Sequence, residues 1–254
     1  MSVATEKTRA KGGGFGETVK IIIQALLLAF LVRTFLFQPF NIPSGSMKPT
    51  LLVGDYLFVS KYAYGYSRYS LPFGFDLFDG RIWAGQPERG DIVVFKLPRD
   101  NSTDYIKRVI GLPGDKVQVK DGVLYLNGAA VERERIDDYV TTGAGGGETR
   151  VERYRETLPN GVSYVTFDLD KNGFEDNTPV YEVPPGHYFM MGDNRDNSTD
   201  SRVPPTSGGV GYVPFENLVG RAEVIFFSVE EGSKAWEFWK WPWTVRWDRM
   251  FTAP

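Results

Sequence analysis

From Val19 to Phe37 every residue is apolar except Lys20, Gln24, Arg33 and Thr34. Wound as an α-helix at ~1.5 Å per residue, this stretch is about 28 Å long, close to the hydrocarbon thickness of a bilayer. From Ala25 to Val32 it is apolar on every face, whereas a helix of a soluble core needs only one buried stripe. No small-x-small cleavage site follows; Phe35-Leu36-Phe37-Gln38-Pro39 is bulky instead, which argues against a removed leader. Arg33 lies near the end of the span, where its side chain can reach the interface. One transmembrane helix is therefore expected, and whatever folds after it does so at a membrane surface.

Flanking charge sets the direction. Lys7, Arg9, Lys11 and Lys20 precede or open the span, while the short segment after it adds only Lys48 beyond Arg33. The excess of basic residues places the N-terminus in the cytoplasm and everything after Gln38 outside. Gly12-Gly13-Gly14 reads as a flexible cytoplasmic lead with no folded domain before the helix.

Past residue 40 the pattern changes to short apolar runs punctuated by Gly and Pro: Tyr56–Ser60, Asp91–Leu97, Tyr105–Ile110, Lys116–Lys120, Val123–Leu126, Gly186–Met191 and Arg221–Val229. Their length and β-branched content predict strands. Asp121-Gly122 and Asn127-Gly128 are turn pairs bracketing a hairpin strand. The fold class expected is mostly β: one N-terminal transmembrane helix followed by coiled antiparallel β-sheets with an inserted β lobe. The lobe is read at 117–183, where the sequence turns polar, with a charged stretch at Val131–Asp138 and a Gly-rich run at Gly143–Gly147. It divides a catalytic β core of 38–116 and 184–231, behind a cytoplasmic 1–18 and the span 19–37, and 232–254 forms a Trp-rich tail.

Composition removes several chemistries. With 29 basic and 32 acidic residues the net charge is -3, so no nucleic-acid partner is expected. Cysteine is absent, which excludes a thiolate nucleophile and a disulfide framework. A zinc protease needs several histidines; this chain has one, His187. Neither a G-x-S-x-G elbow nor an S-x-x-K motif is present. Asp168-Leu169-Asp170-Lys171-Asn172-Gly173 matches the opening of an EF-hand loop, but Pro179 occupies the position that needs a bidentate Glu. A surface turn is the reading retained, and no cofactor or metal is expected.

Three stretches carry the chemistry. Ile42-Pro43-Ser44-Gly45-Ser46-Met47-Lys48-Pro49-Thr50 places serines just beyond the membrane exit. A serine hydroxyl is a weak nucleophile until a neighbouring base takes its proton. The second stretch, Asp104-Tyr105-Ile106-Lys107-Arg108-Val109-Ile110-Gly111-Leu112-Pro113-Gly114-Asp115, supplies a candidate. On a strand, Tyr105, Lys107 and Val109 share one face. Desolvation there pushes the ammonium pKa down, so that a neutral Lys107 amine can serve as base to Ser46. Arg108 points to the other face and is expected to stay charged and solvated. The third stretch is Gly192-Asp193-Asn194-Arg195-Asp196-Asn197-Ser198-Thr199-Asp200-Ser201-Arg202.

Together, in this order and over roughly the whole chain, the three stretches resemble the type I signal peptidases, membrane-bound proteases that use a Ser–Lys dyad. The resemblance implies that Ser46 attacks, that Lys107 is its base, and that the Ser44 hydroxyl and the Ser46 N–H receive the oxyanion. It implies that Ser198 hydrogen-bonds the lysine amine, while Asp200 and Arg202 form a supporting salt bridge. Phe40, Ile42, Leu51, Tyr105 and Ile106 would line pockets admitting only small side chains, with Met47 packed beneath the nucleophile. The expected activity is removal of signal peptides from exported preproteins after an Ala-x-Ala-like site, through an acyl-enzyme. The implied partners are secretory preproteins and the lipid bilayer, near the secretion translocon, in the inner (plasma) membrane. An organellar inner-membrane protease with the same chemistry and a β-rich binding protein whose serines are structural both stay open at this point.

The tail from Ala235 to Trp247 holds Trp236, Trp239, Trp241, Trp243 and Trp247 of the six tryptophans in the chain. Trp mixed with Lys and Arg is the composition of a membrane interface. Insertion into outer-leaflet headgroups and packing against the β core are both compatible with it.

Overall fold

The computed structural model describes residues 14–70, 80–142 and 148–254. Lys7, Arg9, Lys11 and most of the glycine lead fall outside the described residues, as does the Gly143–Gly147 run. Helix α1 spans Phe15–Phe35. It starts four residues earlier than the apolar count suggested and stops two residues sooner. Pro39 is incompatible with helix continuation, and Phe37–Asn41 instead forms strand β1, whose Phe37 pairs with Ser60. Among the described residues of α1 only Thr34 is buried, and the apolar side chains from Ile21 to Val32 are exposed. A 21-residue helix of this kind is long enough to cross a bilayer and fits a membrane anchor.

The strands that follow are β2 (Asp55–Ser60), β3 (Ile92–Lys96), β4 (Asp104–Gly111), β5 (Lys116–Lys120), β6 (Val123–Leu126) and β7 (Ala129–Ala130). Then come β8 (Glu132–Thr142), β9 (Glu148–Thr157), β10 (Ser163–Asp168), β11 (Tyr181–Glu182), β12 (His187–Met191), β13 (Val213–Pro214) and β14 (Leu218–Ser228). All strand pairs among them are antiparallel, so the molecule is mostly β. One seven-stranded sheet runs β1-β2-β14-β3-β4-β12-β13. The segment between β4 and β12 forms a four-stranded sheet β11-β5-β6-β7 and a three-stranded sheet β10-β9-β8. Asp121 and Gly122 both have positive φ, 47° and 72°, which is what a two-residue turn with this twist requires.

Strand β3 shows how the large sheet is buried. Ile92 and Val94 face a cluster with Ile42, Met47, Leu51, Leu57 and Val59, while Val93 and Phe95 face one with Tyr64, Val109, Tyr188 and Met190. Both faces are covered, and β3 reads as a continuous apolar run for that reason. Long β8 and β9 went unread as strands because their alternation is of charge and not of apolarity; Arg155–Glu134 at 3.2 Å is one cross-strand pair.

The tail folds back. Trp241 packs on Phe227 with ring centroids 5.1 Å apart, Val245 is buried, and Arg249 reaches the fully buried Asp55 at 2.6 Å. Trp236, Trp239, Trp243 and Trp247 stay exposed beside this anchored part.

Candidate active site

Ser46 lies in the loop between β1 and β2, and its position is set from below. Met47 and Leu51 are fully buried in the core, so the chain must turn upward between Pro43 and Met47 and present the serine at the rim. Asn194 clamps this turn from outside: its N–H donates to the Ser46 carbonyl at 3.1 Å and its Nδ2 to the Gly45 carbonyl at 3.0 Å.

Lys107 arrives from the neighbouring strand system on β4. Its Nζ lies 2.6 Å from Ser46 Oγ and 3.1 Å from the Ile106 carbonyl, and sits 5.5 Å from the centre of the Tyr105 ring. The side chain is 3% exposed. Burial is the largest influence on its amine and Arg202 adds to it; Asp200 and Asp193 pull the other way, leaving the pKa lowered from 10.5 to about 8. With that pKa about half of the amine is neutral at pH 8 and about a tenth at pH 7, and the hydroxyl it would deprotonate is already within hydrogen-bond reach.

A cavity of about 500 Å³ opens beside this pair, lined by Phe40, Ile42, Val94, Tyr105 and Ile106 on its apolar side, with Ser44, Asn197 and Thr199. Of the pocket residues expected from sequence, Phe40, Ile42, Tyr105 and Ile106 line it. Leu51 does not; it is buried in the core with Met47, which lies beneath the nucleophile turn and off the pocket wall. Ser44 Oγ lies 3.4 Å from Ser46 Oγ, on the pocket wall.

The surrounding polar residues differ from expectation in two places. Ser198 makes no hydrogen bond to Lys107; its buried hydroxyl has no partner of full geometry, although it helps stabilise the Asp200 carboxylate. Asp200 and Arg202 do form the expected pair, through Nε–Oδ1 at 2.9 Å and Nη2–Oδ2 at 2.8 Å. Burial pushes the Asp200 carboxyl up, but Arg202 and the Gly192 N–H outweigh it and hold the pKa below the usual value. The second correction is Arg108. It is charged but not solvated: 4% exposed, it forks onto Asp193 at 2.8 and 2.7 Å. Its face of β4 is covered by Tyr164 of β10, whose ring lies 4.3 Å from the guanidinium.

Sequence reasoning missed Asp193, Asn194 and Arg195 as working residues, although all three stand in the third motif. Asp193 also accepts from Thr50 Oγ1 at 2.5 Å, tying the far end of the nucleophile loop to β4. The lone histidine is elsewhere: His187 starts β12, bonds to the Pro185 carbonyl and does not line the pocket. In the EF-hand-like loop Asp168 is paired with Arg133 at 2.7 Å, and among the described residues no group of three or more His, Asp or Glu could hold a metal.

The profile of the family described as signal peptidase, peptidase S26, matches residues 15–227. The chain belongs to this family. Among curated proteins it is similar to signal peptidase I of Rickettsia typhi, 47% identical over 216 residues, which are 81% of this chain and 77% of the relative. Signal peptidase I of Rickettsia conorii is likewise 47% identical over 214 residues, with the same coverage. Among solved structures, a signal peptidase I from Enterococcus faecalis V583 shows 29% identity and covers 54% of this chain and 96% of its own, with a TM-score of 0.31. That superposition is too loose to bear on the fold, and membership rests on the profile and the Rickettsia relatives. As an S26 signal peptidase the chain is a hydrolase that removes signal peptides from secretory preproteins, and α1 fits its attachment to a membrane.

Proposed function

We propose that this signal peptidase works through a Ser46–Lys107 dyad. The observation that carries the reading is the 2.6 Å contact between Lys107 Nζ and Ser46 Oγ in a site where the lysine is almost fully buried. Neutral Lys107 takes the Ser46 proton as the hydroxyl attacks the scissile carbonyl. The oxyanion is received by the Ser46 N–H and the Ser44 hydroxyl; one such donor typically contributes about 3 kcal/mol to kcat. The lysine, now protonated, gives its proton to the departing amine and leaves an ester on Ser46. Regenerated, it activates water for deacylation. Ser198, Asp200 and Arg202 keep the lysine environment in place, and no cofactor takes part.

The substrate is an extended segment with small residues, of the Ala-x-Ala kind, lying between β1 and β4, where Phe40, Ile42, Tyr105 and Ile106 leave shallow pockets. The chain is oriented with its N-terminus in the cytoplasm and its catalytic part outside, in the inner (plasma) membrane near the secretion translocon, and 117–183 is an extension of that part.

One experiment tests both site and base. A secretory preprotein with an Ala-x-Ala site is incubated with the detergent-solubilised enzyme across pH, and the products are weighed by mass spectrometry. The expected product is cut after the second small residue. Because the base works only when deprotonated, kcat/KM rises with pH through about 8 and levels off above it. A cut elsewhere removes the substrate assignment; a rate flat from pH 6 to roughly 9 removes the lysine base.

The bilayer is a partner of the tail as well as of α1. Trp236, Trp239 and Trp243 are 57–76% exposed, next to a segment that Arg249 and Trp241 fix to the core. Indole rings held outward on a rigid support suit the headgroup region. Changing these three to Ala weakens liposome binding of the chain lacking α1 while its Tm stays within about 2 °C, since exposed substitutions remove no core contact. Unchanged liposome binding sinks the assignment.

A further inference from the structure

The motif segment 192–202 has two sides. One faces the nucleophile; the other faces β9 and β10, where three contacts hold it. Arg195, 5% exposed, forks onto Glu156 of β9, with Nη1 to Oε1 at 2.8 Å and Nη2 to Oε2 completing the fork. The Tyr164 hydroxyl of β10 donates to Glu156 at 2.9 Å and accepts from Arg195 at 3.2 Å. The Phe167 N–H of β10 donates to the Asp193 carbonyl at 2.9 Å. Glu156 is 1% exposed and no step of the chemistry uses it.

On the other side the same segment touches the reacting groups. Asn194 holds the Ser46 and Gly45 carbonyls, and the Arg195 carbonyl accepts from Arg202 Nη2 at 2.7 Å, which in turn fixes Asp200. Arg195 therefore sits between the clamp on the nucleophile and the charges that act on Lys107. Stability alone does not call for such a pair: buried ion pairs replaced by apolar groups of equal volume are often as stable or more so. What a bidentate fork adds is fixed geometry.

We propose that Glu156 is a positioning residue, acting through Arg195 to set the segment 193–202 against the nucleophile loop and so align Ser46 with Lys107. The inference rests on the dyad described under Proposed function.

The test uses the full chain in detergent and three variants: Glu156→Gln, which keeps shape and removes charge; Glu156→Asp, which keeps charge; and Tyr164→Phe, a milder loosening. Three quantities are read: Tm, kcat and KM on the Ala-x-Ala preprotein, and the pH midpoint for labelling of Lys107 by a small amine-acylating reagent, followed by mass spectrometry. For Glu156→Gln, kcat falls about tenfold with KM within about twofold, as expected for lost alignment without lost binding. Water admitted around the amine moves the labelling midpoint above that of the wild type. Tyr164→Phe moves both in the same direction by less, and Glu156→Asp recovers most of kcat. A Glu156→Gln chain that melts earlier but keeps kcat and the Lys107 midpoint, below its Tm, overturns the proposal and leaves Glu156 structural. Should that variant not fold, Tyr164→Phe decides by the same two readings. If the wild type fails to cut the preprotein, the dyad reading falls, and the labelling midpoint still decides whether Glu156 governs Lys107.

Discussion

Lys107→Met lowers turnover by orders of magnitude while leaving the fold intact. Methionine nearly matches the length of the lysine stem, so the cavity walls keep their contacts and only the amine is lost. With no base within reach of Ser46 Oγ, kcat drops by about 10²–10⁴-fold, the usual contribution of a positioned general base. Stability moves the other way. Burial lowers the Lys107 pKa from 10.5 to about 8, so between these values the unfolded chain binds more protons than the folded one. Wild-type stability therefore rises with pH across that window, and the burden of the buried charge is fully present below it. The Met variant lacks this burden: its Tm is at least that of the wild type at pH 7, and the gap narrows as pH climbs from 8 towards 10.5. Thermal melts at three pH values together with single-turnover cleavage check both halves. A variant that cuts within about tenfold of the wild-type rate removes the lysine from the mechanism.

Asp193→Ala is the substitution with the largest expected loss of stability. It strips Arg108 of both carboxylate contacts and leaves a guanidinium buried against Tyr164 and Thr50 without a counter-charge. Breaking one side of a buried pair costs about 3–5 kcal/mol. For a chain of this size that corresponds to a Tm drop of roughly 10 °C. Activity falls as well, because Thr50 at the end of the nucleophile loop loses its acceptor. The double variant Arg108→Met with Asp193→Leu recovers most of the Tm, since the isolated charge is gone, but not the activity. A single variant within about 2 °C of wild type would show that Arg108 finds other partners or water.

What could be read in the sequence was whatever is encoded within one element or one motif. The apolar span, the short strands and the Asp121-Gly122 turn are local patterns, and the structure has them. Ser46 and Lys107 were paired from three motifs, and the geometry brings their side chains together. Arg108 was misjudged because alternation says which face a side chain takes, but not what covers that face. Here the cover comes from Tyr164, 56 positions further along the chain. The family resemblance puts Leu51 at the pocket, yet a tight turn sends it into the core beside Met47. The folding back of the tail depends on Arg249 meeting Asp55, a pairing across 194 positions that no window of sequence contains. Hydropathy failed at β8 and β9 because strands that are mostly solvated carry charge where buried strands carry valine.

Strand β14 has a temporal consequence. It is the last strand of the chain, yet it lies in the middle of the seven-stranded sheet, hydrogen-bonded to β2 on one side and β3 on the other. Ser46 belongs to the β1–β2 half and Lys107 to the β3–β4 half. Within the sheet, among the described residues, strand pairing joins the two halves only through the residues from Leu218 to Ser228. Closing a sheet over so many intervening residues is a slow, high-contact-order event. A ribosome delivers β14 after every other strand, so a chain stopped short of Leu218 lacks the strand that joins the half carrying Ser46 to the half carrying Lys107. The strand that completes this sheet is therefore the last of the strands to be made.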